Sequence, residues 1–76
     1  MKFDDTAIRT GIRKRLILCR HEAGLTQAEV GEKVGKSKNA VGSWEYGYSL
    51  PDLETFLKLT KLYGKTLDYM FGDIDQ

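Results

Sequence analysis

The feature that most limits the fold lies at residues 26–47, where helix starts and stops follow too closely for anything but short helices. Thr26-Gln27-Ala28-Glu29 has the spacing of a capping box. The Thr26 hydroxyl can accept from the Glu29 amide while the Glu29 carboxylate reaches back. Val30 and Val34 form an i, i+4 apolar pair, and Gly35 offers the left-handed turn that a helix end needs. Ser37 caps the next helix, which runs to about Tyr46 and stops at Gly47. Within it Val41 and Trp44 share one face, while Lys38, Asn39, Gly42 and Ser43 fall on another. A helix built this way buries one side and presents short polar groups and a cation on the other. It suits a groove lined with hydrogen-bonding edges better than a catalytic pocket. Gly31 stands in a helix interior, where glycine costs about 1 kcal/mol relative to alanine. It makes sense where another helix crosses so closely that no side chain fits.

The flanking segments read as helices that hold this pair. Ile8, Ile12, Leu16, Cys19 and Ala23 recur at helical spacing from about Thr6, and Gly24 ends the run. Ile17 and Leu18 lie off that stripe and are expected to pack within the molecule, against Phe3 in the preceding arm, rather than against another subunit. After the turn Tyr48-Ser49-Leu50-Pro51, a fourth helix starts at Pro51 or Asp52. Its periodic residues are Leu53, Phe56, Leu57, Thr60 and Tyr63, and Gly64 ends it. Thr66 caps a final short helix with Leu67, Met70 and Phe71. No stretch alternates as a strand would. The expected organisation is a flexible arm at 1–6, a domain at 7–72 and a frayed tail at 73–76. The fold class is all-α, with five helices.

Size and composition exclude much else. A chain of 76 residues has room for one domain. One cysteine rules out an internal disulfide, and one cysteine with one histidine cannot close a zinc site. No apolar run approaches the roughly 20 residues needed to cross a bilayer, and the start lacks a signal-peptide pattern, so a cytoplasmic location is expected. The segment Gly31-Glu32-Lys33-Val34-Gly35-Lys36-Ser37 has the ingredients of a phosphate loop. It is one residue short between the glycines and has no strand before it. His21 has no partner at metal-ligand or triad spacing, and Cys19 lies on the apolar stripe. No enzyme, cofactor or metal is implied. The net charge of +1 decides nothing, but its distribution is uneven. Residues 1–20 carry Lys2, Arg9, Arg13, Lys14, Arg15 and Arg20 against Asp4 and Asp5. Residues 51–76 carry Lys58, Lys61 and Lys65 against Asp52, Glu54, Asp68, Asp73 and Asp75. The molecule is dipolar, and a charged partner can select one side.

Two short helices joined by a glycine turn form a helix-turn-helix, whose second helix enters the DNA major groove. The residues Thr26 to Gly35, followed by Ser37, Val41, Trp44, Glu45 and Gly47, resemble the lambda-repressor-like, Xre-type helix-turn-helix family. The resemblance extends from about residue 11 to 72 through Arg20, Gly24-Leu25, Pro51 and the 53–71 segment. It implies a compact five-helix DNA-binding domain. It also implies that Gln27 hydrogen-bonds a backbone phosphate and braces the recognition helix. Lys38, Asn39, Gly42 and Ser43 fall where the family faces base edges. Tyr46, Gly47 and Tyr48 fall in the loop along phosphates, and Thr26, Lys36, Ser37 and Arg20 are further backbone contacts. Arg20 and Glu45 match an ion pair between the first and recognition helices. Gly31, Gly35, Val41, Trp44 and Glu45 carry the motif's structure. Two departures stand out: Lys36 occupies a turn position that is often apolar, and Gly42 removes a side chain where a base reader is common.

Asn39 can pair bidentately with adenine, and Lys38 can donate to guanine N7 and O6 or to a phosphate. The expected partner is double-stranded DNA carrying an inverted repeat, bound by a homodimer whose contact includes Tyr69, Met70, Phe71 and the adjacent tail; the alternative for these residues is closing the monomer core, as is expected of Met70 and Phe71. The expected function is sequence-specific transcriptional regulation, as a repressor of phage or bacterial type. The alternative is an antitoxin-like protein-interaction module on the same scaffold.

Overall fold

A capping side chain starts each helix of the computed structural model, which describes residues 3–71. The order is α1 Asp5–Ala23, α2 Gln27–Val34, α3 Lys38–Tyr46, α4 Leu53–Tyr63 and α5 Leu67–Met70. Thr26, Ser37, Asp52 and Thr66 each accept a backbone amide from three residues ahead, at 3.1, 3.1, 2.8 and 3.1 Å. Such a cap satisfies one of the donors that a helix start leaves unpaired. The box at Thr26 is reciprocal, with Glu29 Oε1 accepting from the Thr26 amide at 2.8 Å. Gly24, Gly35, Gly47 and Gly64 end the first four helices.

The first boundary differs from expectation. Asp4, placed in a flexible arm by sequence, accepts from the amides of Thr6 and Ala7 at 3.0 and 3.2 Å. That cap carries helix α1 back to Asp5, so residues 4–6 join the helical domain. The expected tail at 73–76 and the start of the arm at residues 1 and 2 lie outside the described residues.

All five helices contribute to one core. It comprises Ile12, Leu16 and Cys19 from α1, Val30 and Val34 from α2, Val41 and Trp44 from α3, Phe56 and Leu59 from α4, and Met70 from α5. Each such side chain contributes about 1.5–3 kcal/mol when fully buried. Cys19 and Met70 bring their sulfurs to 3.8 Å across the molecule. Burial raises the Cys19 thiol pKa and keeps the group neutral.

Three expectations about packing are corrected. Ala23, at the end of the α1 stripe, is exposed. Phe3 and Leu18 remain 72% and 43% exposed, so they do not bury one another as expected. On α4 the inward face is Thr55, Phe56, Leu59 and Thr60, whereas Leu53 and Leu57 face solvent. The α4 segment has apolar residues on more than one side, and periodicity alone could not decide which side the other helices would cover. The Thr60 hydroxyl satisfies itself by donating to the Leu57 carbonyl at 2.7 Å, which permits its burial.

Candidate nucleic-acid interface

Helix α3 is held from three directions. Its apolar side sinks Val41 and Trp44 into the core. Its start is fixed by a turn pressed against α2, because a Cβ built on Gly31 would lie 2.5 Å from the Lys36 carbonyl oxygen and 3.1 Å from Ser37. The sequence suggested a crossing helix at Gly31. The structure instead places the backbone of the α2–α3 turn there. The Lys36 amide donates to the Gly31 carbonyl at 2.8 Å, and Gly35 adopts φ +76, a conformation that costs other residues about 1–2 kcal/mol. The turn therefore folds back onto the helix it leaves.

The third anchor is polar. The Glu45 carboxylate, on a side chain only 5% exposed, accepts from Arg20 Nε at 2.7 Å and from Arg20 Nη2 at 3.0 Å. Gln27 Nε2 donates to the same carboxylate at 3.1 Å, and Arg20 Nη1 donates to the Leu25 carbonyl at 3.0 Å. This unit links α1, the loop after it, α2 and α3. A buried pair stabilises only when its remaining hydrogen-bonding capacity is satisfied, and three donors on Glu45 meet that condition. The hydrogen bond to Glu45 holds the Arg20 pKa above its ordinary value.

That geometry reassigns several expected contacts. Arg20 directs its guanidinium to Glu45 and Leu25 and so braces α3. Gly42 is buried, and its notional Cβ meets the Gln27 amide at 3.5 Å and the Tyr46 ring at 3.8 Å. Covered in this way, Gly42 does not face a base edge. Ser43 is half-buried, with its hydroxyl 2.8 Å from that of Ser49, which ties the helix to its following loop. Of the four expected readers, only Lys38 and Asn39 are exposed. They stand on the first turn of α3, beside an open cleft lined by Arg20, His21, Leu25, Thr26, Gln27 and Lys38.

The expected backbone contacts divide similarly. Thr26 and Ser37 accept cap amides, and each hydroxyl keeps its proton available. Lys36 leans toward Asp52, with 3.6 Å between ammonium and carboxylate in an exposed pair. Such pairs contribute about 0–1 kcal/mol, so Lys36 can leave Asp52 readily. Tyr46 and Tyr48 are 71% and 82% exposed, with ring centroids 6.1 Å apart. The amides of Gly47 and Tyr48 turn inward. Gly47 donates to Trp44 at 3.3 Å, and Tyr48 donates to Ser43 at 2.9 Å. This loop presents its side chains, not its amides, to the outside.

Sequence reasoning missed two cations beside the loop. Arg9 and Arg13 line a groove with Thr6, Thr10, Tyr46 and Gly47. Their i, i+4 spacing places both on one face of α1. That spacing was visible in the sequence, but nothing there linked α1 to the end of α3. Of the residues expected at a dimer contact, Met70 and Phe71 pack in the core as also expected: Met70 is fully buried and Phe71 stacks on Phe56 at 5.9 Å, while half-buried Tyr69 lies under Arg15 and Lys65 at 4.1 and 4.8 Å. These residues close the protomer itself.

Known proteins share this arrangement. The helix-turn-helix family model matches residues 16–70. Among similar proteins is the HTH-type transcriptional regulator ImmR of Bacillus subtilis, 42% identical over 59 residues. The match covers 78% of this chain and 46% of ImmR. An SPbeta prophage-derived HTH-type regulator of the same organism, YonR, is 32% identical over 57 residues, covering 75% of this chain and 53% of the relative. The chain thus spans about half the length of these relatives. A crystal structure of the P22 c2 repressor protein with synthetic operator 9T, in the presence of Tl+, superposes with a TM-score of 0.75. It is 30% identical and covers 84% of this chain and 96% of that one. With its glycine-closed turn, its capped second helix and the ion pair bracing it, the chain belongs to the lambda-repressor-like, Xre-type helix-turn-helix family.

Proposed function

We propose that this chain is the DNA-binding part of a sequence-specific transcriptional regulator, acting in the cytoplasm as a repressor of phage or bacterial type and without catalytic activity. The observation that carries this reading is the contrast along α3. Its buried side and C-terminal half are fixed by the Arg20–Glu45–Gln27 unit, while Lys38 and Asn39 project from the first turn with no partner among the described residues. A rigidly held helix with an exposed amide and ammonium at its start suits insertion into a major groove, where Asn39 reads adenine and Lys38 reads guanine or a phosphate. Thr26, Gln27, Ser37, Tyr46 and Tyr48 flank that turn as backbone contacts, and Lys36 joins them on release from Asp52.

One such module reads only a few base pairs, so two copies on an inverted repeat about 34 Å apart complete the site. Because Tyr69, Met70 and Phe71 belong to the protomer's own packing, the dimer contact moves to the exposed leucines beside the loop, Leu50 and Leu53.

Selection from a random duplex pool tests the proposal directly. The expected result is an enriched palindrome with half-sites one helical turn apart, and no enrichment would remove the DNA-reading role. On the selected duplex, Asn39→Ala should lose about 1–3 kcal/mol of discrimination at one base pair, with an unchanged melting temperature.

A further inference from the structure

The groove between the start of α1 and the end of α3 is outside the helix-turn-helix itself, yet it is built from cations and hydroxyls. Its lining is Thr6, Arg9, Thr10, Arg13, Tyr46 and Gly47, around about 280 Å³. No carboxylate lines it, and neither Arg9 nor Arg13 has an ion-pair partner among the described residues. Arg13 is not simply solvated. Its Cδ and Nε lie 3.4 and 3.9 Å from the place where Gly47 would carry a Cβ. Gly47, at φ +85, closes α3 and at the same time leaves room for the Arg13 stem to rest on the loop.

The loop's own hydrogen bonding makes these cations necessary. The amides of Gly47, Tyr48 and Ser49 all donate to the last carbonyls of α3, those of Ser43 and Trp44. A phosphate passing this loop therefore cannot rely on the backbone donors that often bind anions. It needs side-chain donors, and Arg9 and Arg13 stand one helical turn apart on α1 in the groove that Tyr46 also lines. We infer that Arg9 and Arg13 form a second phosphate clamp, which holds the DNA backbone beyond the C-terminal end of the recognition helix. The inference rests on the DNA-binding function proposed above. Arg13 acts as the inner, positioned cation because its stem is packed on Gly47; Arg9 is the outer one. The clamp adds affinity and orientation without reading sequence, since phosphates are alike at every base pair.

The test measures binding of the full chain to the selected duplex and to a scrambled duplex across a potassium chloride series. For Arg9→Gln/Arg13→Gln, affinity should fall at least about tenfold on both duplexes alike, as the loss of hydrogen bonds to a charged group implies. The slope of log K against log salt should become shallower by about 1–2, since each phosphate contact contributes about 0.9. Arg9→Lys/Arg13→Lys should restore most of the slope, because the charge returns. Arg9→Gln alone leaves the Arg13 stem on Gly47 and so guards against a folding defect in the double variant; it should make the slope shallower by about 0.9, and no change would count against the outer cation. An unchanged slope in a double variant that still melts like the wild type would overturn the clamp while leaving the DNA-binding function intact. So would a loss confined to the selected duplex, because that signature belongs to base reading. Failure of the wild-type chain to bind any duplex would overturn both.

Discussion

The two ends of α3 do opposite things. At its start, Lys38 and Asn39 are exposed and their side chains have no partner among the described residues. From Gly42 to Glu45 the polar side is covered or paired: Gly42 beneath Gln27, Ser43 with Ser49, and Glu45 with Arg20 and Gln27, before Tyr46 emerges again at the helix end. A polar stripe is thus divided into an exposed first turn and an anchoring half. In the proposed function the exposed turn is positioned by the anchoring half, as a site held by packed and hydrogen-bonded support requires.

The comparison breaks most severely at the anchor. Arg20→Ala should cost about 3 kcal/mol, because it leaves a buried Glu45 carboxylate with Gln27 as its remaining donor among these partners. Chemical denaturation measures the loss, and a cost under 1 kcal/mol would show that the pair behaves as an exposed one. Gly31→Ala comes next. Although alanine favours helix, its Cβ would meet the Lys36 carbonyl at 2.5 Å, and backbone cannot swing aside as a side-chain tip can. A net loss of about 2 kcal/mol is expected in the same denaturation assay.

Gly42→Ala sharpens the contrast from the other side. Both glycines are buried in helices, yet at Gly42 the new methyl finds ordinary contacts at 3.5 Å or more. Stability should rise by up to about 0.5–1 kcal/mol from helix propensity alone, read as a higher melting temperature. A strong loss of DNA affinity in that variant would return Gly42 to the base-facing surface.

The smallest effect is expected from acid. Amide hydrogen bonds, from Thr26 to Glu29 and from Thr55 to Asp52, hold both carboxyls below their ordinary values. A carboxylate with a lowered folded pKa adds stability above its unfolded pKa, about 4.3 for Glu and 3.9 for Asp. That stability is lost as pH falls through the folded value. The melting temperature should therefore be flat between about pH 5 and 7, and Glu29→Gln/Asp52→Asn should flatten part of the fall below about pH 4.

Much of this was legible in the chain because it is governed locally. Caps, glycine stops and the capping box depend on residues three or four apart, and their spacing is visible in one dimension. Helices α2, α3 and α4 start and stop where those signals stand, and α5 starts after its Thr66 cap. The Arg20–Glu45 pair was also found, though through family resemblance rather than from spacing. What failed depended on neighbours distant in sequence. Leu53 and Leu57 have the helical period but face water, and Leu59, unmarked by that stripe, is 1% exposed. Likewise, nothing about Ser43 announces Ser49 as its partner, and Arg13 gives no sign that Gly47 lies under it.

By itself, then, the sequence determined how many helices there are, where most begin and end, and which short helix carries polar groups on one side. Those outcomes follow from backbone hydrogen bonds and side-chain periodicity within a few residues. Tertiary structure decided which polar groups remain available. Burial of Glu45 requires Arg20 and Gln27 to face inward, Gln27 thereby covers Gly42, and the exposed polar groups of α3 are left at its first turn and at Tyr46. Availability depends on what other elements cover and pair, and no local pattern encodes that.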